Sequence, residues 1–495
     1  MIRILAAAGG LLLAAMPAAA QQVRTEAGPV RGFSAEGSTA FLGIPYAAPP
    51  VGDLRWRPPV PPAHWTAPRD ASRAGNDCMQ NAMPGVTTSG QPTSEDCLFL
   101  NVWTPNASAG VKLPVMVWIH GGGFVSGSGS LAETDGARLA ARGVVVVSFN
   151  YRLGRFGFFA HPALAAEGNG GNYGLMDQIA ALAWVKRNIA GFGGDPAKVT
   201  IFGESAGGES VLRLMAAPAA RGLFARAISA SGGGRDHWPV APEAEAKGSA
   251  FAAAAGAGDA ASLRALPASV VLGGINMLNK EDARYSGPIT DGTIVPEDVA
   301  RVFAAGREAR VPLIIGNNDD ELGFVPTALL PMVNGPVLAA LGKGADAVKA
   351  SYASPEKATR YLAGDAMFTE PAFSMARWHA ATGAPTWLYR FGYVAEAKRK
   401  EGIGAGHATD VIFQFDNLAK GDAKPSAVDA AVAARIADYW AGFAASGDPN
   451  RKGLPRWDRL NGAAPRLLAI GASAAMTEAG GPSLAAITTA REARQ

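Results

Sequence analysis

Ser205 sits in "TIFGESAGGES" (200–210), with glycines two positions away on each side and the apolar run "KVTIF" leading into it. Small residues come next, and then the helix-like "ESVLRLMAA". A serine at a strand-to-helix junction, flanked by Gly203 and Gly207, fits a sharp elbow that exposes the hydroxyl. Such a hydroxyl can attack an acyl carbon, provided that a base, an orienting acid and oxyanion donors are also present. In a chain with 61 glycines the same letters also describe a plain turn. The partners decide.

The donors come first along the chain. "WIHGGGF" sets His120, Gly121, Gly122, Gly123 and Phe124 directly after an apolar run. With no Cβ in the way, the Gly122 and Gly123 amides can turn toward a developing oxyanion together with the amide of Ala206. The acid should come after Ser205 near another strand end, where "PLIIGNNDDELGF" offers Asp319, Asp320 and Glu321. Spacing alone does not choose among the three. Six histidines could act as base: His64, His120, His161, His237, His379 and His407. The usual order on this type of sheet, serine then acid then histidine, leaves His379 and His407. His379 in "SMARWHAAT" reads as a packed helix residue. His407 in "GIGAGHATDVIFQF" lies in a glycine-rich loop and can swing toward a serine, so it is the better choice.

These groups need a frame. "VMVWIH", "VVVVSFN", "VTIFG", "AISAS", "PLIIG" and "TWLYRF" are short apolar runs of the kind that form parallel strands buried on both faces. Helical patterns alternate with them, as in "GLMDQIAALAWVKRNIAGF", which implies a sheet with helices on both faces. Residues 240–285 and 325–380 are helical but less regular, and are expected to cap the strand ends. Alanine-rich "FAAAAGAGDAASLRAL" carries enough apolar spacing to be helix. Residues 21–495 read as one catalytic domain.

The first twenty residues, "MIRILAAAGGLLLAAMPAAA", read as an export signal: Arg3, an apolar stretch too short to span a bilayer, and a small-residue cleavage site at Ala18–Ala20. The mature protein is therefore expected in the periplasm or the medium. In that setting the only two cysteines, Cys78 and Cys97, read as a disulfide. Net charge is +3 with no basic or acidic block, so nothing points to nucleic acid or an anionic membrane as partner.

Taken together, the chain resembles a type-B carboxylesterase, the cholinesterase-like branch of the α/β-hydrolase fold. The likeness is carried by "FLGIPYAAPPVGDLRWRPP", "SEDCLFLNVWTP", "HGGGF", "NYRLGRFGFF", "GNYGLMDQIAALAWVKRNIAGFGGDP", "TIFGESAGG", "GLFARAISASGG", "GPITDGTIVP", "IIGNNDDELGF", the His407 loop and "FAASGDPN". The resemblance implies a serine esterase that needs no metal or organic cofactor and acts on a small-molecule ester. It implies Glu321 as the acid, although Leu322 stands where the family usually has glycine. Cys78–Cys97 matches the family's first disulfide loop. Glu204, Ser231 and Asp410 correspond to a buried hydrogen-bonded acidic group beside the histidine, with aspartate at 410 where glutamate is usual. Phe124 and Trp238 match pocket-lining positions, Trp238 on the acyl side. Cholinesterases carry a cation-binding tryptophan in the first disulfide loop; residues 79–96 hold no aromatic side chain, which argues against choline esters. A lipase is the alternative, with 325–380 as its lid. A non-catalytic binding protein of this family would have lost the serine, which is retained here.

Overall fold

The computed structural model describes residues 21–494, apart from 83–87, 169, 236–237, 280, 282, 401–402 and 463. The expected export segment and His237 lie outside the described residues. Among the described residues the largest sheet has eleven strands. From one edge to the other they run Ala474–Glu478, Arg466–Ile470, Thr386–Phe391, Leu313–Asn318, Arg226–Ala230, Gly194–Glu204, Leu113–Ile119, Val145–Phe149, Phe99–Thr104, Ser38–Pro45 and Phe33–Ala35. Between Arg466–Ile470 and Val145–Phe149 every neighbouring pair is parallel; the pairs outside that block are antiparallel.

The continuous apolar runs have a direct physical reading. Side chains alternate between the two faces of a strand. Val115, Val117 and Ile119 enter the core on one side of the sheet with Val199, Ile201, Leu313 and Ile315. Met116 and Trp118 join Phe202 and Ile314 in the core on the other side. The first core is covered by helices Tyr173–Asn188, Ala206–Ala216 and Glu370–Ala381, the second by the long helix Ala427–Ser446. Both faces of these strands are buried. The outer strands Phe33–Ala35 and Ser38–Pro45 and the closing hairpin Arg466–Ile470/Ala474–Glu478 are too short or too mixed to stand out in the sequence.

Residues 240–285 contain helices Ala241–Ala255, Ala260–Arg264 and Ala268–Leu272. Residues 325–380 contain Leu330–Leu341, Ala345–Ala350, Pro355–Gly364 and most of Glu370–Ala381. A Cys78–Cys97 disulfide closes the loop expected from sequence. Among the described residues no helix is long and apolar enough to cross a membrane.

Candidate active site

Parallel pairing lines up strand ends. Gly203 lies opposite Ile119, Glu204 opposite Ala230, and Ala230 opposite Gly316. With strands about 4.8 Å apart, the segments that leave these four strands are gathered at one edge. They are the glycine loop 121–123, Ser205, Ser231 and the 319–321 turn. A parallel sheet collects its loops at the carboxyl end, and here that collection is the site.

Ser205 links strand Gly194–Glu204 to helix Ala206–Ala216 with φ 57° and ψ −127°, outside the regions favoured by a residue with a side chain. Its N–H donates to the Ala230 carbonyl at 3.0 Å, and its carbonyl accepts from Glu209 N–H at 2.8 Å. Both backbone groups are thus committed, and the turn is held from two sides. Gly207 must be glycine: a Cβ there would lie 1.9 Å from the Ile119 carbonyl oxygen. The elbow consequently sits flush against the strand that carries the glycine loop.

That loop has φ +101° at Gly122 and +62° at Gly123. Among the described residues no backbone or side-chain acceptor takes the amides of Gly122 and Gly123, while the Gly122 carbonyl accepts from Val125 and Ser126. The amide of Ala206, at the first helical position, is one that no helix satisfies internally. Three unpaired N–H donors near one serine are a ready oxyanion cradle.

The acidic side is built from side chains. Nδ1–H of His407 donates to Oε2 of Glu321 at 2.6 Å. The other oxygen of Glu321 accepts from Ser231 Oγ at 2.7 Å and from Asn318 N–H at 2.8 Å. The imidazole's Nε2 faces Glu204 Oε1 at 3.2 Å, and Ser205 is the next residue in the chain. His407 keeps 19% of its side chain exposed, against 1% for Glu321 and 5% for Glu204. His407 is the most exposed of the three. Asp410 touches neither Glu204 nor Ser231 by a hydrogen bond; it accepts from Asn318 Nδ2 at 3.3 Å and Gln414 Nε2 at 2.8 Å, joining the group through Asn318.

Charge is concentrated here. Burial pushes the His407 imidazole down, but Glu204, Glu321 and Asp410 outweigh it, so its pKa stands above the usual 6.5. Burial raises Glu204, and the neighbouring carboxylates of Asp410 and Glu321 raise it further. Burial and the charge on Glu321 also raise Asp410. His120 goes the other way: it is buried against Tyr151, and desolvation lowers it to about 4. It stays neutral and hydrogen-bonds through Nδ1 to the Gly121 carbonyl at 2.9 Å.

Of the alternatives left open by spacing, Asp319 and Asp320 bond the backbone of residues 404 and 405 and not an imidazole. His379 is fully buried between Glu308 at 2.7 Å and the Val311 carbonyl at 2.8 Å. Phe124 meets Trp238 edge to face at 6.0 Å, and the Arg213 guanidinium lies over the indole at 5.2 Å. Three residues of the site gave no signal in the sequence. Phe368 lies on the His407 ring at 4.6 Å, and Asn318 ties two carboxylates together. A Cβ at Gly123 would sit 3.7 Å from Met277. Among the described residues no group of three or more His, Cys, Asp or Glu could hold a metal ion.

Comparison with known proteins finds relatives along most of the chain. The model of the carboxylesterase family matches residues 19–337 and 343–483. The chain is 37% identical to a fumonisin B1 esterase of Sphingopyxis macrogoltabida, over 90% of this chain and 87% of that one. It is 37% identical to a para-nitrobenzyl esterase of Bacillus subtilis (88% and 91% covered) and 35% identical to a liver carboxylesterase of Sus scrofa (90% and 88%). A solved PNB esterase superposes with a TM-score of 0.81 at 33% identity, covering 92% of this chain and 97% of the other.

Proposed function

Because the chain belongs to the carboxylesterase family and is a carboxylic ester hydrolase of α/β-hydrolase fold, we propose that it cleaves the substrate's ester bond through an acyl-enzyme on Ser205. His407 takes the hydroxyl proton as Ser205 attacks the carbonyl carbon, and returns it to the leaving alcohol. Glu321 holds the imidazole by Nδ1, fixing its tautomer and balancing its charge once it is protonated. The amides of Gly122, Gly123 and Ala206 stabilise the tetrahedral oxyanion. Water, activated by the same histidine, then releases the acid. The observation that carries this reading is the Glu321–His407 contact, with the other imidazole nitrogen 3.2 Å from Glu204, the residue that precedes the strained Ser205. An organophosphonate should label the parent protein at Ser205, and Ser205→Ala should lose on the order of 10⁶ in turnover of a nitrophenyl ester. A Ser205→Ala protein that hydrolysed the ester at the parent rate would end the assignment.

Phe124 and Trp238 make the apolar wall against which the acyl group rests, with Glu204, Ser231 and Asp410 as the supporting network of the base. The names of two relatives, a fumonisin B1 esterase and a para-nitrobenzyl esterase, belong to esters of different build and leave the substrate open. A second reading, a lipase with residues 325–380 as lid, has one observation in its favour: Leu329 and Met332 are 48% and 74% exposed, and Phe324 just before the segment is 68% exposed. Rates across acyl lengths, below and above substrate aggregation, separate the two: a jump at aggregation marks the lipase. The disulfide supports an exported location, periplasmic or secreted.

A further inference from the structure

Asn318, the last residue of strand Leu313–Asn318, and the three residues of the turn after it bind four consecutive residues of the histidine loop, 404–407. Asn318 Nδ2 donates to the Gly406 carbonyl at 2.6 Å, and His407 N–H donates to the Glu321 carbonyl at 2.9 Å. Between these outer rungs, Ala405 N–H donates to Asp319 Oδ1 at 2.8 Å, and Asp320 N–H donates to the Ala405 carbonyl at 3.1 Å. The contact farthest along the loop from His407 is Gly404 N–H to Asp320 Oδ2 at 3.0 Å. That same oxygen accepts from Arg360 Nη2 at 2.6 Å.

The two aspartates differ in standing. Asp319 is exposed, whereas Asp320 is 2% exposed and its other oxygen has no partner among the described residues. A carboxylate is costly to bury, and only the Arg360 charge and the loop amide offset that cost here. Arg360 belongs to helix Pro355–Gly364, which continues into the turn that bears Phe368. A Cβ at Gly364 would come 3.2 Å from Glu321 Cβ, and Phe368 lies on the His407 ring. One helix therefore touches the acid, the base and the aspartate between them.

We infer that Asp320, held by Arg360, is a positioning residue: it pins the backbone of the His407 loop so that the imidazole is presented correctly. This rests on His407 being the base. Turnover of a nitrophenyl ester by His407→Ala tests that reading separately, so the two can fail apart. A carboxylate that acts by placing another group costs rate and not substrate binding, and a displacement near 1 Å can cost about 10²-fold. A purely structural carboxylate would lower the number of working molecules and leave each of them unchanged.

The experiment counts active serines with the organophosphonate in full-length Asp320→Ala and Asp320→Asn, then measures kcat per titrated site, KM for a nitrophenyl acetate, and the pH profile. Asp320→Ala should lose about 10²-fold in kcat per site with KM within about twofold. Asp320→Asn keeps an acceptor for Gly404 N–H but loses the charge-assisted bonds, so it should recover most of the loss and remain about three- to tenfold below the parent. If the alanine variant gives no titratable protein, the asparagine variant carries the test alone. Parent-like kcat per site in either folded variant overturns the inference, whatever happens to yield.

Discussion

The Ser205 side and the His407 side of this site are made of different material. Around Ser205 nearly everything is main chain: a strained φ at the elbow, positive φ at Gly122 and Gly123, unpaired amides, and a glycine where any Cβ would strike Ile119. Around His407 nearly everything is side chain: Glu321, Ser231, Asn318, Asp410 and Glu204, brought together from separate segments by hydrogen bonds. Apart from the Ser205 hydroxyl itself, the first is damaged by adding atoms. The second is damaged by removing or recharging them. Backbone geometry gives one half its rigidity, and electrostatic balance gives the other its tuning.

The contrast can be broken hardest at its side-chain end. His407→Ala should reduce kcat on a nitrophenyl ester by on the order of 10⁶, since base and nucleophile act as a unit. Glu321→Gln, which keeps the shape but favours the wrong tautomer, should cost about 10⁴ in the same assay. The main-chain half is probed by Gly122→Ala: φ there is +101°, and the new Cβ would meet the Ser126 carbonyl at 2.2 Å. Displacing one oxyanion donor should cost about 10²–10³ in kcat with little change in KM; equal activity would show that the loop amide is not a donor.

The tuning itself is tested by pH. A general base works when neutral, so kcat/KM should rise with pH through an inflection above 6.5, because the surrounding carboxylates hold the imidazole proton more tightly than water does. Glu204→Gln removes one of those carboxylates, and the inflection should move to lower pH. A profile that stayed in place would mean that Glu204 is not ionised next to the imidazole. The smallest effect belongs away from both halves. The Cys78→Ser, Cys97→Ser double variant opens a loop with a sequence separation of 19. It should lower stability to urea by roughly 3 kcal/mol while activity per folded molecule stays the same.

The difference between the halves is also a difference in what could be read from the chain. The strand runs, the elbow at Ser205 and the "HGGGF" loop are local patterns, because dry parallel strands and glycine-only backbone angles leave marks on adjacent residues. The acid was not local. Asp319, Asp320 and Glu321 are equivalent by spacing, and the resemblance, not the pattern, separated them. In the structure they face different ways, one to the imidazole and two to the loop backbone. Asp410 shows the limit of the resemblance as well: it lies near the base but reaches it through Asn318, a residue that nothing in the sequence marked.

The sequence by itself determined six central parallel strands, the helices that alternate with them and the turn that holds Ser205, since each arises from periodicity or from the steric needs of a few neighbouring residues. Only the tertiary structure decided which carboxylate meets His407, which ones hold its loop, and that Arg360 and Phe368 belong to the same assembly. Those are contacts between residues far apart in the chain, fixed by strand register and helix packing. No short stretch of sequence carries the energy that selects them.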